Sequence, residues 1–129
     1  MHGLHVNGFP NMFVIGIAQA ANLVSNIPHN FLEAGATIAS VIRHAQDTGA
    51  AVVEAEPDAQ AEWVRRIESA GRSFFGNTEC TPGYYNNEGQ PMGRREHLNS
   101  SGYPEGAVAY FNFITQWRES GKFEGVSFS

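Results

Sequence analysis

Asn7-Gly8-Phe9-Pro10-Asn11-Met12-Phe13-Val14-Ile15-Gly16-Ile17 is the stretch on which the fold turns. Its first five residues, with Gly8 and Pro10 between two asparagines, read as a turn. The run from Met12 to Ile17 that follows is apolar at odd and even positions alike. A strand with one face in water alternates polar and apolar side chains, whereas a strand covered on both faces does not. Residues 12–17 are therefore expected to form the central strand of a parallel sheet with layers on both sides.

Downstream, the polar and small residues of 18–26 lead to Pro28, well placed for a first helical turn. A helix is expected over about 29–48, with Phe31, Leu32, Gly35, Ile38, Ala39, Ile42 and Ala45 recurring at three- and four-residue spacing and Gly49 as its stop. Ala50 to Glu54 reads as a short connection. Pro57 opens a second helix over 57–75, whose apolar face carries Trp63, Val64, Ile67, Ala70 and Phe74. From Gly76 to Gly106 no periodicity lasts two turns, and thirty-one residues hold six Gly, three Pro and four Asn. Structureless segments of that length are functional lids or linkers, and the aromatic Pro82-Gly83-Tyr84-Tyr85 argues for a lid. Over 107–129 the pattern reads strand, helix, strand: Val108 and Tyr110, then Phe111, Ile114 and Trp117 up to Gly121, then an edge strand at Val126 and Phe128.

The 129 residues suffice for one domain at most. A net charge of -5, with basic residues grouped no further than Arg65-Arg66 and Arg94-Arg95, excludes a surface built on phosphate neutralisation, so no nucleic-acid partner is expected. The single cysteine, Cys80, excludes an intrachain disulfide and a cysteine-rich metal site, and reads as an inert small residue in a reducing compartment. The five histidines are scattered, and none forms a His-x-x-x-His pair on one helical face; no metal site is expected. The apolar runs are far too short for a membrane span and the start is not a signal peptide, which makes the expected location cytoplasmic, with no membrane partner.

These elements do not add up to a closed sheet. One strand apolar on both faces needs neighbours that two short strands at the far end cannot supply. Either identical chains complete the sheet, or the chain is a piece of a longer protein; the second is favoured, because completion of a parallel sheet between identical chains is rare.

The residues also carry a resemblance. Leu4-His5-Val6-Asn7-Gly8-Phe9-Pro10 through Gly16 resembles the last strand of the FAD domain of Baeyer–Villiger monooxygenases. Gln19, Ser25-Asn26-Ile27-Pro28-His29 and Leu32-Glu33 continue it, as in the branch that accepts large ketones. Glu79-Cys80-Thr81-Pro82-Gly83-Tyr84-Tyr85-Asn86-Asn87-Glu88-Gly89 resembles that branch's mobile loop, and Ala109-Tyr110-Phe111, Trp117-Arg118, Gly121 and Glu124-Gly125-Val126 resemble its C-terminal end. The resemblance implies an α/β fold: residues 1–75 as the end of a Rossmann-like FAD-binding domain, 76–106 as a mobile control-type loop, and 107–129 as a strand-helix-strand tail.

It further implies a parent enzyme that uses FAD and NADPH to insert one oxygen atom of O2 beside a ketone carbonyl, giving an ester or lactone. Gly16, Ile17 and Gln19 would lie near the cofactor; Ala20, Asn22, Leu23 and Asn26 would line the substrate side; Pro82, Tyr84, Tyr85 and Asn87 would form part of a lid. Neither Gly-x-Gly-x-x-Gly turn by which the family seats pyrophosphates is present, nor its Trp-Pro fingerprint, since Trp63 precedes Val64 and Trp117 precedes Arg118. No catalytic residue is therefore assigned, tight cofactor binding is not expected of this chain alone, and its main partner is the missing N-terminal part of the enzyme. Plainer readings stand beside these: Gly16 as a tight strand exit, Gln19 and Asn22 as polar loop residues, His29 as a first-turn residue, Glu96-His97 as a solvated loop, Trp63 and Trp117 as core. In another class altogether, the chain would be a stand-alone binding or oligomerisation module that pairs through the edge of 12–17.

Overall fold

The computed structural model describes residues 1–69, 81–91 and 93–129, except for the side chains of residues 24, 84, 85, 99 and 100. Ala70, Phe74 and Cys80, singled out above, lie outside this set together with the expected 70–75 end of the second helix, as do the side chains of Tyr84 and Tyr85. The elements are α1 (Ile27–Thr48), β1 (Val53–Ala55), α2 (Pro57–Ser69), α3 (Arg94–Ser100), α4 (Ala107–Glu119) and β2 (Val126–Phe128). Short 3-10 turns occupy Asn22–Val24 and Tyr84–Gly89.

Local signals account for the bounds of α1. The Asn26 side chain accepts from the His29 amide at 3.2 Å, Pro28 sits in the first turn, and Gly49 ends the helix in a left-handed conformation (φ 74°) with its N–H on the carbonyls of Ala45 and Gln46. The side of α1 turned inward is Asn30, Ala34, Thr37, Val41 and Ala45, which packs on α4. Phe31, Leu32 and Ile42, expected on the buried face, are instead exposed. Arg118 of α4 explains the choice. Its guanidinium donates to Glu33 Oε2 and to Thr37 Oγ1, each at 3.1 Å, so a polar residue on α1 can be buried without losing its partner.

The sheet is small and antiparallel. Val53, Glu54 and Ala55 of β1 face Phe128, Ser127 and Val126 of β2, so part of the stretch expected as a connection is a strand and the terminal edge strand is present. Residues 12–17 do not form the expected central strand. They contribute one antiparallel bridge between His5 and Phe13, with the Val14 amide donating to Leu4 O at 2.8 Å. Met12, Val14 and Ile15 remain 40%, 43% and 58% exposed, because among the described residues no neighbouring strand lies beside them. The strand expected at Val108 and Tyr110 is the first turn of α4 instead. Helical spacing buries Tyr110, Ile114 and Trp117 together, and this outweighs local strand preference. Within the long irregular stretch, α3 is helical, which places Glu96 and His97 on a helix and not in a loop.

One core joins these pieces. Leu4, Val41, Ile67 and Ile114 are almost fully buried at its centre, with Trp63 and Trp117 in it as expected. The opening turn is pinned to β1 by polar contacts. Asn7 Nδ2 donates to Ala55 O at 2.9 Å, Gly8 N to Glu54 Oε1 at 2.7 Å, Asn11 N to Val53 O at 2.8 Å, and Val53 N to Asn11 Oδ1 at 2.9 Å. The two asparagines thus make a side-chain and backbone clamp that holds residues 7–11 against the sheet edge.

Candidate functional site

The segment 16–26 leaves the apolar run through a tight turn. Ile17 O accepts from the amides of Ala20 (3.3 Å) and Asn22 (3.1 Å), while Gln19 and Asn22 take left-handed backbone conformations (φ 56° and 58°). Two backbone bonds fasten it to residues 101–103: Gln19 N to Ser101 O at 2.7 Å and Tyr103 N to Ala20 O at 2.8 Å. Gly102 makes that approach possible, since a Cβ there would stand 2.7 Å from Asn22 Cβ. On the other side, Gly3 lies so close that a Cβ would stand 2.8 Å from Ala18 O. The Ser101 hydroxyl donates to His97 O at 2.6 Å and so ties α3 to the same seam.

Of the residues expected near cofactor or substrate, Gly16, Ile17, Gln19 and Leu23 are half-buried, Ala20 and Asn22 are buried by the chain itself, and Asn26 is exposed at the head of α1. Asn22 Oδ1 accepts from Leu23 N at 2.7 Å, and Asn30 Nδ2 donates to Ser25 Oγ at 2.6 Å, so the polar side chains of this turn brace its shape. The space around Gly16 is open, with nothing within 4 Å of where a Cβ would be.

The second segment folds around Asn86. Its Oδ1 accepts from Gly83 N at 2.8 Å and its Nδ2 donates to Thr81 O at 3.0 Å, while the amide of Glu88 returns to Gly83 O at 3.0 Å. Asn87, Glu88 and Gly89 then run left-handed (φ 53°, 53° and 76°), and Gly89 lies against exposed Pro82. Half-buried Asn87 donates through Nδ2 to Pro91 O at 3.1 Å, and Arg94 pairs with Glu68 of α2. That pairing lowers the Glu68 pKa and raises that of Arg94.

The sequence reading missed a cluster that lies beside the first segment, where Gly3 meets Ala18. Leu4 N and His5 N both bond Met1 O, and Gly3 runs left-handed (φ 70°), so His2 and His5 curl into one buried turn with ring centroids 6.2 Å apart. His2 packs edge-on against Trp63 (4.8 Å), Phe113 (5.1 Å) and Trp117 (4.8 Å). Tyr110 Oη donates to His2 O at 2.9 Å, and burial pushes that phenol's pKa up. Burial lowers the His5 pKa to about 4 and holds His2 well below 6.5, and it brings the Met1 amino group, which donates to His5 O, to about 6. A groove of about 280 Å³ opens beside the cluster, lined in part by His2, Glu62, Trp63, Arg66, Trp117 and Glu124. Arg66 is engaged there, lying 4.5 Å over the Tyr103 ring and 2.9 Å from Glu105. The signal available in the sequence was His-Gly-x-His, where a glycine can close a single turn between two histidines. Among the described residues no three His, Cys, Asp or Glu side chains gather as a metal site.

A dinucleotide cofactor needs a strand running through a glycine-rich turn into a helix N-terminus. Among the described residues β1 leads through Glu56 to Pro57, and the first turn of α1 is already capped by Asn26. The described residues by themselves offer no such seat for FAD or NADPH. No described helix is long and apolar enough to cross a membrane.

No family model matches the chain. Pentalenolactone D synthase of Streptomyces exfoliatus is 40% identical over 129 residues, covering 98% of this chain and 21% of that protein. Neopentalenolactone D synthase of Streptomyces avermitilis is 39% identical over 120 residues, 92% of this chain and 20% of that one. Baeyer-Villiger monooxygenase 4 of Dietzia sp. is 34% identical, over 98% of this chain and 20% of its own length. Among solved structures, the polycyclic ketone monooxygenase of the thermophilic fungus Thermothelomyces thermophila superimposes with a TM-score of 0.77 at 29% identity, over 100% of this chain and 21% of that one. An oxidized steroid monooxygenase bound to NADP shares the fold, with a TM-score of 0.71 at 23% identity over 98% of this chain and 22% of its own. The chain thus spans about a fifth of the length of the curated relatives it matches. It belongs to the Baeyer–Villiger monooxygenase family, as a segment of such an enzyme.

Proposed function

We propose that this chain is the C-terminal part of an FAD- and NADPH-dependent monooxygenase that inserts one oxygen atom of O2 beside the carbonyl of a large ketone to give an ester or lactone. The observation that carries the reading is 40% identity across nearly the whole chain to a pentalenolactone synthase five times its length. Both dinucleotide sites belong to the remaining four fifths, and the chain alone is inactive. In the whole enzyme residues 12–17 become a strand of the Rossmann-like FAD domain. Exposed Met12, Val14 and Ile15 support this, because an apolar run left in water is what a strand looks like before its sheet neighbours arrive.

In that setting Gly16, Ile17 and Gln19 approach the flavin, where the open space at Gly16 leaves room. Ala20, Asn22, Leu23 and Asn26 shape the substrate side, with the seam to Ser101–Tyr103 fixing their positions. Pro82, Tyr84, Tyr85 and Asn87 belong to a closing lid whose hinge is the left-handed run 87–89. The flavin supplies the oxygen chemistry when bound; this chain's part is to position, enclose and exclude water.

The test is a chimera in which this chain replaces the matched segment of the Streptomyces exfoliatus synthase, assayed for bound FAD and for ketone-dependent NADPH oxidation with a panel of bulky ketones. The proposal expects a flavin-loaded, ketone-dependent enzyme. A chimera that folds but neither holds flavin nor responds to any ketone contradicts it. The second reading, a stand-alone binding or oligomerisation module, draws on the closed core around Leu4, Val41, Ile67 and Ile114. It would be favoured by that same failed chimera together with cooperative unfolding of the isolated chain.

A further inference from the structure

Over residues 27–42 the sequence of α1 holds one charged side chain of the Asp, Glu, Lys and Arg type, Glu33, and Arg118 engages it. At about 100° per residue, the inward side (Asn30, Ala34, Thr37, Val41, Ala45) fills an arc of roughly 80°. An adjacent arc of the same width carries Ile27, Phe31, Gly35, Ile38 and Ile42 at spacings of four, four, three and four. Ile27, Phe31 and Ile42 are 41%, 45% and 42% exposed, and nothing lies within 4 Å of a Cβ built on Gly35. The apolar surface of α1 is therefore about twice as wide as the part that α4 covers. A helix at the surface of a finished domain shows water a charged or polar face; one apolar nearly all round is buried.

We propose that the stripe Ile27-Phe31-Ile38-Ile42 is the docking surface for the remaining four fifths of the same monooxygenase, with Gly35 as the notch where its backbone comes closest. This rests on the reading of the chain as a segment of that enzyme. Dimensions choose this occupant over a second copy. The stripe is about 22 Å long and about 10 Å wide, roughly a quarter of the ~800 Å² per partner that a stable dimer needs. A partner in the same polypeptide faces no such minimum, since its effective concentration is set by the connecting chain. The periodicity that marked Phe31, Ile38 and Ile42 as a core face in the sequence then has its explanation: it records a core that this chain does not contain.

The experiment places Phe31→Asp and Ile42→Asp, separately, in the isolated chain and in the chimera with the Streptomyces exfoliatus synthase. Arg43→Asp, on the far side of the same helix, is the control. In the isolated chain the stripe variants should keep the urea midpoint and the helical circular dichroism of the parent. In the chimera each should cut retained flavin by at least about tenfold, because a charge would be buried without a partner, while Arg43→Asp retains it. Stripe variants that match the unsubstituted flavin-loaded chimera overturn the inference and leave the family reading standing. Variants that unfold the isolated chain also overturn it, as does a stripe-dependent dimer of the isolated chain in sedimentation. An unsubstituted chimera without flavin sinks the underlying reading and the inference with it.

Discussion

Acid should unfold this chain through its buried imidazoles. His5 is 3% exposed, its ring lies 5.5 Å from Phe13 and 5.9 Å from Trp117, and neither ring nitrogen has a hydrogen-bond partner among the described residues. Burial lowers its pKa from 6.5 to about 4; the nearby amino group adds to this, and the backbone of Met1 opposes it. The unfolded chain takes up the proton near pH 6.5 and the folded one only near 4, so between those values the unfolded state holds more protons. The His5 contribution to stability is therefore complete above about pH 6.5 and is lost as the pH drops toward 4. The gap, at ~1.36 kcal/mol per pH unit, amounts to roughly 3 kcal/mol for His5. His2 shifts in the same direction, chiefly through burial and then through the charges of His5 and the amino group, and the Met1 amino group adds a loss between about pH 8 and 6. Against a total of about 5–15 kcal/mol for a typical domain this is decisive. Urea unfolding followed by the fluorescence of buried Trp63 and Trp117 at pH 7.5, 6.5, 5.5 and 4.5 should show a falling midpoint. His5→Phe should flatten the slope by about one proton and match or exceed the parent at pH 7, since two unpaired buried nitrogens become carbon. A midpoint constant from pH 7.5 to 4.5, or an unchanged slope in His5→Phe, would refute the reasoning.

Trp63→Ala should destabilise the chain by about 3–5 kcal/mol in the same assay, because the indole stacks on Tyr103 (5.5 Å) and Phe113 (5.6 Å) at the junction of α2 and α4. Arg118→Ala should cost about 1–3 kcal/mol by leaving Glu33 and buried Thr37 without their donor, and a double-mutant cycle with Glu33→Ala should show clear coupling between the two. In the chimera, Asn87→Ala should raise NADPH oxidation that yields no ester, read as the ratio of product to NADPH consumed; an unchanged ratio and ketone affinity would remove the lid role.

What could be read from the sequence follows how local each signal is. Pro28 and Gly49 bound α1 through contacts within a turn of the helix and act as the sequence indicates, while Asn26, read there as a substrate-lining residue, caps the helix start. Which side of α1 faces inward depends on Arg118, eighty-five residues from its partner Glu33, and no periodicity encodes that. Strands of three residues are too short for alternation to register, so Val53–Ala55 passed for a connection and Val108 and Tyr110 for a strand. The cluster of His2, His5, Trp63 and Trp117 needs three chain segments to meet, and the sequence offers only the spacing His-Gly-x-His as a local sign of it. The apolar run 12–17 reads as a strand in the sequence, but among the described residues it pairs only through the bridge between His5 and Phe13.

Of the amides from Phe13 to Ile17, that of Val14 alone donates to a backbone carbonyl among the described residues. Hydrogen exchange at Phe13, Ile15 and Ile17, compared between the isolated chain and the flavin-loaded chimera, therefore asks directly whether the rest of a monooxygenase completes this segment as a sheet strand. The account predicts rapid exchange in the isolated chain and protection increased at least about a hundredfold in the chimera. Equally rapid exchange in a chimera that binds flavin would contradict it.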